Sequence, residues 1–371
     1  MSSIPSFSNS FLKVDLNAIC ENAHAIHQNS PAQQLIPVLK SNAYGLGSIA
    51  VATVLSQLPF FSCFAVAQVQ EGLQLKQNKI RQDVLILSHA LPQQIEAAVR
   101  SDLTFTIGSV PYLFLIANAA KKLGKTAKIQ IKFDTGLCRT GFEPDVIPSL
   151  IDALHKTSES IQLAGAYSHF ADPEDASRCA AQYRLFCSLS DLITDAGFEL
   201  PLRHICDSAA SEYYPQYALN ALRIGRRLAF GSPKYPDHSI MEAASLYSFV
   251  TDIHSRKKGS RLGYDSGIVL MEDKNIASIG IGYGDGLDPH IAAHDIAVLI
   301  NGRLCPVLYC FMDQLLVDIT GVSAQIGDQV TLFGHDDLGN FLSAQAQAKK
   351  LNALEGCALT TALLPRVERV Y

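Results

Sequence analysis

The chain contains 371 residues, 48% of them hydrophobic, and carries a formal net charge of −5 with a pI near 6.1. This length is enough for two or three domains with sizeable hydrophobic cores. The weakly acidic balance and the lack of a Lys/Arg block argue against nucleic acid and against an anionic membrane as partners, so a small molecule is the expected partner.

The first 15 residues have no basic stretch followed by an apolar core, and no run of about 18 uncharged apolar residues occurs anywhere. These two features predict a cytoplasmic protein with no membrane-spanning helix. The nine cysteines form no CxxC pair. We therefore expect neither a disulfide framework nor a metal site.

The first informative stretch is LIPVLKSNAYGLG, from Leu35 to Gly47. Its apolar part, Leu35–Leu39, is too short for a helix and predicts a buried strand, so Lys40 lies where that strand opens into a Gly-rich loop. A partly desolvated amine loses proton affinity and can act as a Schiff-base nucleophile near neutral pH. The alternative is a strand-end lysine that extends into solvent.

Seven further short apolar or β-branched runs follow, separated by segments with helix signals such as Pro92 before QQIEAAVR. Eight strands alternating with helices over about 200 residues predict an α/β fold, a parallel (β/α)8 barrel whose active site lies at the carboxyl ends of its strands. The predicted strands are Leu35–Leu39, Cys63–Ala67, Val84–Ser88, Leu103–Ile107, Lys128–Phe133, Ile161–Tyr167, Leu202–Cys206 and Leu219–Ile224; the predicted helices include Gln68–Gln77, Ser109–Leu123 and Asp175–Ala196.

Polar side chains follow several of these strands and should meet at one rim. Any single one has a structural alternative: Asp134 could cap a loop, His169 could be a core histidine, and Asp207 could be the N-cap of a helix. Taken together they favour a functional site. The rim residues are Lys40, the loop DTGLCRTG at 134–141, Ser168, His169, Asp207, Ser208, Arg223, Gly225, Arg226 and Arg227.

The pattern changes near Met241, where strand-like runs replace the alternation and predict a mostly β domain. We place a domain boundary near residue 240, with Lys234–His238 as a linker. Asn301-Gly302 between two strands predicts a type I′ hairpin. The expected elements are strands at Ala244–Ser255, Arg261–Met271, Ile276–Tyr283, Ile296–Ile300, Leu304–Phe311, Leu315–Thr320 and Gln329–Phe333, and one helix at Ser343–Leu351.

Seven strings of the sequence resemble motifs of the alanine racemase family, in the family's order and spacing. They are VLKSNAYGLG, KFDTGLCRTGF, RIGRRLAFG, LGYDSG, GYGDGL, FMDQLLVDIT and IGDQVTLFG. The resemblance implies a barrel domain at 12–240 that binds pyridoxal 5'-phosphate and a β-rich domain at 241–371 together with 1–11. It also implies that the first strand, about Phe11–Val14, belongs to the β domain, and that two chains form a head-to-tail homodimer with shared active sites.

The resemblance assigns Lys40 as the residue that carries the cofactor and as one of two acid/base groups. Inversion of an amino acid needs a second base on the opposite face, and Tyr264 of the partner subunit matches it. Arg139 matches the cation beside that tyrosine. Arg223 matches the partner of the pyridine nitrogen, where a fixed guanidinium keeps the ring unprotonated and so favours racemisation over decarboxylation.

The remaining site residues also follow from the resemblance. His169 would pack beside the cofactor ring and orient Arg223, and Lys132 occupies a position that is carbamylated in several relatives. Met312 and Asp313 would lie near the substrate carboxylate. The phosphate would be held by Tyr44, Ser208, the amides of Gly225 and Arg226, and Tyr283.

Three departures from the family bear on the substrate. Leu287-Asp288-Pro289-His290 and Tyr309 stand where the family usually has arginines, so a racemase of serine or another small amino acid is the alternative to an alanine racemase. Asp207 stands where asparagine or a neutral residue is commoner, and we expect it to pair with Arg226 or Arg227. A non-catalytic pyridoxal-phosphate carrier is disfavoured by the β domain with Tyr264, and a decarboxylase by Arg223.

Overall fold

A computed structural model describes residues 8–231, 240–264, 267–353 and 355–371. The chain forms two compact units. The first consists of Cys20–Ala43 and Ser48–Arg227, and the second of the described parts of Met1–Ile19, Tyr44–Gly47 and Leu228–Tyr371. The predicted linker Lys234–His238 lies outside the described residues.

The first unit contains eight parallel strands, as predicted. Strands β3 to β8 form one continuous sheet, and β2 pairs with β9. A bridge between Val38 and Ala65 joins β2 to β3, and Arg223 N donates to Cys206 O at 3.3 Å between β9 and the segment after β8. The strands are β2 Gln34–Pro37, β3 Cys63–Val66, β4 Asp83–Ile86, β5 Thr104–Ile107, β6 Ala127–Lys132, β7 Ile161–Tyr167, β8 Leu202–His204 and β9 Ala221–Ile224.

Most barrel strands are buried, and β3, β5 and β9 are buried at every residue. A parallel sheet in an α/β fold is covered on both faces, which is why these strands read as continuous apolar runs rather than as alternating patterns. The observed strands lie within two residues of their predicted bounds, and Ile161–Tyr167 matches them. The predicted barrel followed by a mostly β domain is confirmed.

Helices alternate with the barrel strands. Pro92 and Pro111 lie in the first turns of α5 and α6, and the Asp175 side chain accepts the Arg178 amide at 3.0 Å at the start of α8. No helix among the described residues is both long and apolar enough to cross a bilayer. The helices are α1 Leu16–Gln28, the turn α2 Lys40–Tyr44, α3 Ser48–Leu55, α4 Val69–Gln77, α5 Pro92–Arg100, α6 Val110–Lys122, α7 Ile147–Thr157, α8 Ala176–Asp195, α9 Ala210–Tyr213, α10 Arg227–Phe230, α11 Ala344–Lys350 and α12 Gly356–Ala362.

The second unit is built on a nine-stranded sheet. The first strand, β1, pairs antiparallel with β10 and parallel with β19. Because β17 pairs with both β14 and β10, six of the strands close on themselves. Strands β11 and β12 form a separate pair. The strands are β1 Ser10–Val14, β10 Ala244–Arg256, β11 Arg261–Leu262, β12 Ile268–Val269, β13 Lys274–Ile279, β14 Ala297–Ile300, β15 Arg303–Cys310, β16 Leu315–Asp318, β17 Gln329–His335, β18 Phe341–Leu342 and β19 Glu368–Val370.

The hairpin prediction at Asn301-Gly302 is confirmed, since φ is 48° and 75° at these two residues and β14 pairs with β15. The prediction of one strand over Arg261–Met271 is wrong. The segment forms the two-residue strands β11 and β12, and Gly267 N donates to Tyr264 O at 2.7 Å between them. Positive φ at Gly263, 88°, turns the chain where a continuous strand was expected.

Candidate active site

Lys40 and the segment after Arg223 leave the barrel from neighbouring strand ends. Pro37 of β2 lies opposite Ile224 of β9, and Val38 N donates to Ile224 O at 2.7 Å. Gly225 N donates to the Ser208 hydroxyl at 3.1 Å, so two of the predicted phosphate-binding groups are in contact. The carboxyl ends of the parallel strands thus bring these predicted residues to one rim.

The backbone directly after Lys40 forms a left-handed turn. Ser41, Asn42 and Ala43 have φ between 53° and 56° and ψ between 46° and 51°, and Tyr44 has φ of 56°. For residues with a Cβ this conformation costs on the order of 1–2 kcal/mol each. Four such residues in succession store strain beside the proposed cofactor lysine, and the surrounding structure must hold it.

Glu71 of α4 anchors the beginning of this turn. Its Oε1 accepts the Ser41 amide at 2.6 Å, and its Oε2 accepts the amides of Ala67 at 2.8 Å and Gln68 at 3.0 Å. One carboxylate therefore joins the left-handed turn to the start of α4. Hydrogen bonds to a charged acceptor are among the stronger ones in proteins, which makes Glu71 a suitable anchor for a strained segment.

The end of the turn is held by the last part of the chain. Thr360 Oγ1 donates to Tyr44 O at 2.8 Å, and Arg369 Nε donates to Gly45 O at 2.9 Å. A Cβ at Gly45 would lie 2.0 Å from Thr360 O, so only glycine allows this approach. Tyr44, a predicted phosphate ligand, thus belongs to the second compact unit.

Arg223 is 5% exposed and is surrounded by acceptors. Its Nη1 donates to His204 Nδ1 at 2.6 Å, and its Nη2 donates to His169 Nδ1 at 3.1 Å. The same Nη2 donates to the carbonyls of Ser168 at 2.8 Å and Ile205 at 2.9 Å. Because a guanidinium can only donate, both Nδ1 atoms are acceptors and each imidazole carries its proton on Nε2.

Both of these imidazoles are held neutral. Burial, with a further contribution from the Arg223 charge, lowers the pKa of His169 to about 4, although Asp207 opposes the shift. The same two causes lower the pKa of His204 well below its ordinary value. His204 Nε2 then donates to Gln130 Oε1 at 2.9 Å. A chain of buried hydrogen bonds therefore runs from Gln130 through His204 and Arg223 to His169.

Asp207 acts as a helix cap, and among the described residues it forms no direct ion pair with Arg226 or Arg227, although the charge of Arg226 does act on it. Its Oδ1 accepts the amides of Ala209 at 3.1 Å and Ala210 at 2.9 Å, and its Oδ2 lies 3.9 Å from His169 Nε2. Burial opposes the ionised form, but His169, the Ala210 amide and the charges of Arg223 and Arg226 outweigh it and lower the pKa of Asp207. Arg227 lies against another carboxylate, with its Nε 3.4 Å from Oε1 of Glu212.

The loop after β6 is organised by Asp134, and the capping alternative for this residue is confirmed. Its Oδ1 accepts the amides of Gly136 at 2.9 Å and of Leu137 and Cys138 at 3.0 Å, and its Oδ2 accepts the Arg139 amide at 2.9 Å. Burial opposes the charge, yet these four amides together lower the pKa of Asp134. The loop leaves the Arg139 side chain exposed.

Lys132 lies at the end of the same strand and is 4% exposed. Its Nζ donates to Thr140 Oγ1 at 2.6 Å. Burial, followed by the charges of Arg139 and Arg223, lowers the pKa of Lys132 to about 8. Part of this amine is therefore neutral near neutral pH, and a neutral amine is the form that reacts with carbon dioxide.

The second unit gathers the other predicted site residues around Phe311. The Tyr264 ring meets the Phe311 ring edge-on, with centroids 5.5 Å apart, and Tyr283 N donates to Phe311 O at 3.0 Å. Met312 and Asp313 follow Phe311 directly and are exposed, and 71% of Tyr264 is exposed. The predicted site residues thus form two groups, one in each compact unit.

Comparison with known proteins identifies the family. The model of the alanine racemase N-terminal domain matches residues 14–233, and that of the C-terminal domain matches residues 243–371. The chain belongs to the alanine racemase family. It is therefore an isomerase of the amino-acid racemase class.

The proteins that resemble this racemase match it over nearly its whole length. Alanine racemase of Methanococcus maripaludis is 30% identical over 97% of both chains, and alanine racemase 2 of Caldanaerobacter subterraneus subsp. tengcongensis is 31% identical over 97% of this chain and 94% of its own. The structure of alanine racemase from Clostridium difficile 630 superposes with a TM-score of 0.90 at 28% identity, covering 100% and 96% of the two chains. The structure of alanine racemase from Bacillus anthracis with bound L-Ala-P superposes with a TM-score of 0.89 at 26% identity. This match covers 99% of this chain and 95% of that chain.

Three residues that shape the proposed site of this racemase are not among those that the sequence analysis singles out: Gln130, His204 and Glu71. His204 ends β8, so the strand-end criterion that selects His169 could also have selected it. Nothing local distinguishes Gln130, whose partner His204 lies on another strand. Glu71 caps the start of its own helix α4, but its hydrogen bond to the Ser41 amide joins a different element and has no local signal. The described residues contain no group of three or more His, Cys, Asp or Glu side chains placed to hold a metal ion.

Proposed function

We propose that this protein is a pyridoxal-phosphate-dependent racemase that interconverts L- and D-alanine by a two-base mechanism. Lys40 serves one face of the substrate, and Tyr264 of the partner subunit serves the other. The observation that carries this proposal is the environment of Arg223, a buried guanidinium whose hydrogen bonds all go to carbonyls and imidazoles.

The cofactor fits the donors around Arg223. Both Nη atoms are occupied by protein acceptors, whereas Nε–H meets no acceptor among the described residues. A pyridine nitrogen is an acceptor of the kind this N–H lacks. Because arginine keeps its proton, Nε–H cannot protonate that nitrogen, which favours racemisation over decarboxylation. The residues that would hold the cofactor are Lys40, Tyr44, His169, Ser208, Arg223, Gly225, Arg226 and Tyr283.

When bound, pyridoxal phosphate would make the substrate α-proton acidic. Lys40 Nζ would exchange a proton on one face of the substrate and Tyr264 Oη on the other, since inversion needs a separate group on each face. Arg139 would support the ionised phenol, and Met312 and Asp313 would orient the substrate carboxylate. Both Lys40 and Tyr264 are exposed, so their side chains are accessible for such a role.

The two-base arrangement, with Tyr264 supplied by the partner subunit, implies a homodimer in which the barrel domain of one chain meets the partner's β-rich domain. We place this dimer in the cytoplasm. The exposure of Tyr264 and Met312, 71% and 59%, supports this assembly. Large exposed apolar side chains that lie together are typical of protein interfaces. A second copy of the chain would cover them.

A second candidate is a racemase of serine or another small amino acid, which the positions of Tyr309 and Leu287-Asp288-Pro289-His290 favour. A racemisation panel over all proteinogenic amino acids distinguishes the two. Fastest turnover of alanine supports the leading proposal, and fastest turnover of serine replaces it by the second.

The cofactor proposal is tested by spectroscopy and peptide mapping. Purified protein should absorb near the edge of the visible range, and borohydride should fix a pyridoxyl group on Lys40. Lys132, the other lysine of the rim, is the internal control and should stay unmodified. A colourless protein, or an adduct on a different lysine, would contradict the proposal.

A further inference from the structure

The backbone of Tyr264 is hydrogen-bonded on both sides although its side chain is 71% exposed. Its N–H donates to the hydroxyl of Tyr309 at 3.3 Å, and its carbonyl accepts the Gly267 amide at 2.7 Å. The flanking strands β11 and β12 have only two residues each. Two such short strands contribute little to fixing the Tyr264 backbone, so the additional hydrogen bond from Tyr264 N–H to Tyr309 matters for its position.

The Tyr309 ring packs directly against Gly263, the residue before Tyr264. A Cβ at Gly263 would lie 2.3 Å from both Cε2 and Cζ of Tyr309. Gly263 also has φ of 88°, which disfavours any residue with a side chain. The backbone at Gly263 therefore passes the ring at a distance that only glycine allows, and the ring limits where this part of the backbone can lie.

Tyr309 itself is well fixed. It lies in β15 and packs against an apolar cluster that includes Leu262, Ile276 and Leu316. Its ring also contacts Phe311, with centroids 4.8 Å apart, and Phe311 in turn meets Tyr264. Tyr309, which the apolar cluster fixes, thus contacts Tyr264 through its hydroxyl and Gly263 through its ring.

From these contacts we infer that Tyr309 is a positioning residue that holds Tyr264 in place for proton transfer. The inference rests on the proposed role of Tyr264 and extends it to a residue with no assigned function. Tyr309 acts through the Tyr264 backbone. Its loss should therefore weaken proton transfer at the face of the substrate that Tyr264 serves and spare the face that Lys40 serves.

The test is the Tyr309→Phe variant, which keeps the ring and removes the hydroxyl. Exchange of the substrate α-proton with deuterated solvent is followed separately from L- and D-alanine. We expect exchange from the enantiomer served by Tyr264 to slow about 2- to 10-fold, which corresponds to the loss of one hydrogen bond. The exchange rate of the other enantiomer and the KM should change little. Equal slowing from both enantiomers, or no slowing, would overturn the inference.

Tyr247→Phe is the matched control, because the Tyr247 hydroxyl also forms one hydrogen bond with the backbone of the second unit, here as the donor to the His335 carbonyl at 2.6 Å. It should leave both exchange rates unchanged. Backbone hydrogen–deuterium exchange of the peptide containing Tyr264 provides a readout that does not depend on activity. It should accelerate in Tyr309→Phe and not in Tyr247→Phe, and unchanged protection would also overturn the inference.

Gly263→Ala is a second variant with an independent expectation. The added methyl displaces the loop from the Tyr309 ring, so the same asymmetry should appear with a larger loss. If the wild-type enzyme exchanges neither enantiomer, the proposed function fails. The amide protection of the Tyr264 peptide then still decides whether Tyr309 positions the loop.

Discussion

At the scale of single residues, the environment of Arg223 determines the protonation of its neighbours. His169 and His204 each accept a hydrogen bond from the guanidinium on Nδ1, so each stays neutral in the folded protein. A carboxylate in either position would instead neutralise the charge of Arg223. The positive charge is thus preserved where the ring nitrogen of the proposed cofactor would lie.

This arrangement predicts a loss of stability in mild acid. The ordinary pKa of histidine is 6.5, and that of folded His169 is about 4, so between these values the unfolded chain binds a proton that the folded chain does not. The free energy of unfolding should therefore fall as pH decreases from 6.5 towards 4. Urea denaturation at pH 7 and at pH 5 measures this decrease in the free energy of unfolding. His169→Gln should show a shallower decrease than wild type, and an equal decrease would exclude His169 as the cause.

Sequence reasoning was most effective for residues whose position follows from a strand end. Lys40, His169, Ser208 and Arg223 lie at the rim because parallel strands finish at the same end of the barrel. The direct ion pair expected between Asp207 and Arg226 or Arg227 is not formed among the described residues. The Asp207 carboxylate instead lies 3.9 Å from Nε2 of His169, which follows a different strand.

At the scale of elements, the left-handed turn after Lys40 is the least predictable feature. Four residues with side chains adopt the left-handed conformation, which all of them except Asn42 disfavour, and no sequence signal predicts four such residues in succession. The eight barrel strands were predictable because burial on both faces leaves continuous apolar runs. The split of Arg261–Met271 was not, because it depends on close contacts at Gly263 and Gly267.

Removal of the Glu71 carboxylate should loosen this turn. Glu71→Ala leaves the amides of Ser41, Ala67 and Gln68 without their acceptor, and we expect a loss of about 1–3 kcal/mol in the free energy of unfolding. Cofactor affinity should also fall, measured by titration of the apoprotein with pyridoxal phosphate. Glu96→Ala is the control, since Glu96 only pairs with exposed Lys122. Equal effects of both variants would count against the anchoring role.

At the scale of the whole molecule, the proposed shared active sites predict complementation between inactive variants. Lys40→Ala and Tyr264→Ala should each be nearly inactive. Mixed after reversible dissociation, half of the dimers contain one chain of each kind, and one of their two sites has both Lys40 and Tyr264 intact. We expect recovery of about a quarter of wild-type activity. If both residues of one site came from the same chain, the mixture would stay inactive.

The contacts of Thr360 and Arg369 with Tyr44 and Gly45 join positions 316 and 324 residues apart. At a translation rate of roughly 5–20 residues per second, the ribosome needs about 15 to 60 seconds to make the intervening chain. Throughout that interval the loop after Lys40 lacks two of its hydrogen bonds. The nascent barrel can form its strands early, but the lysine that would hold the cofactor reaches its final setting only after Thr360 and Arg369 have been made.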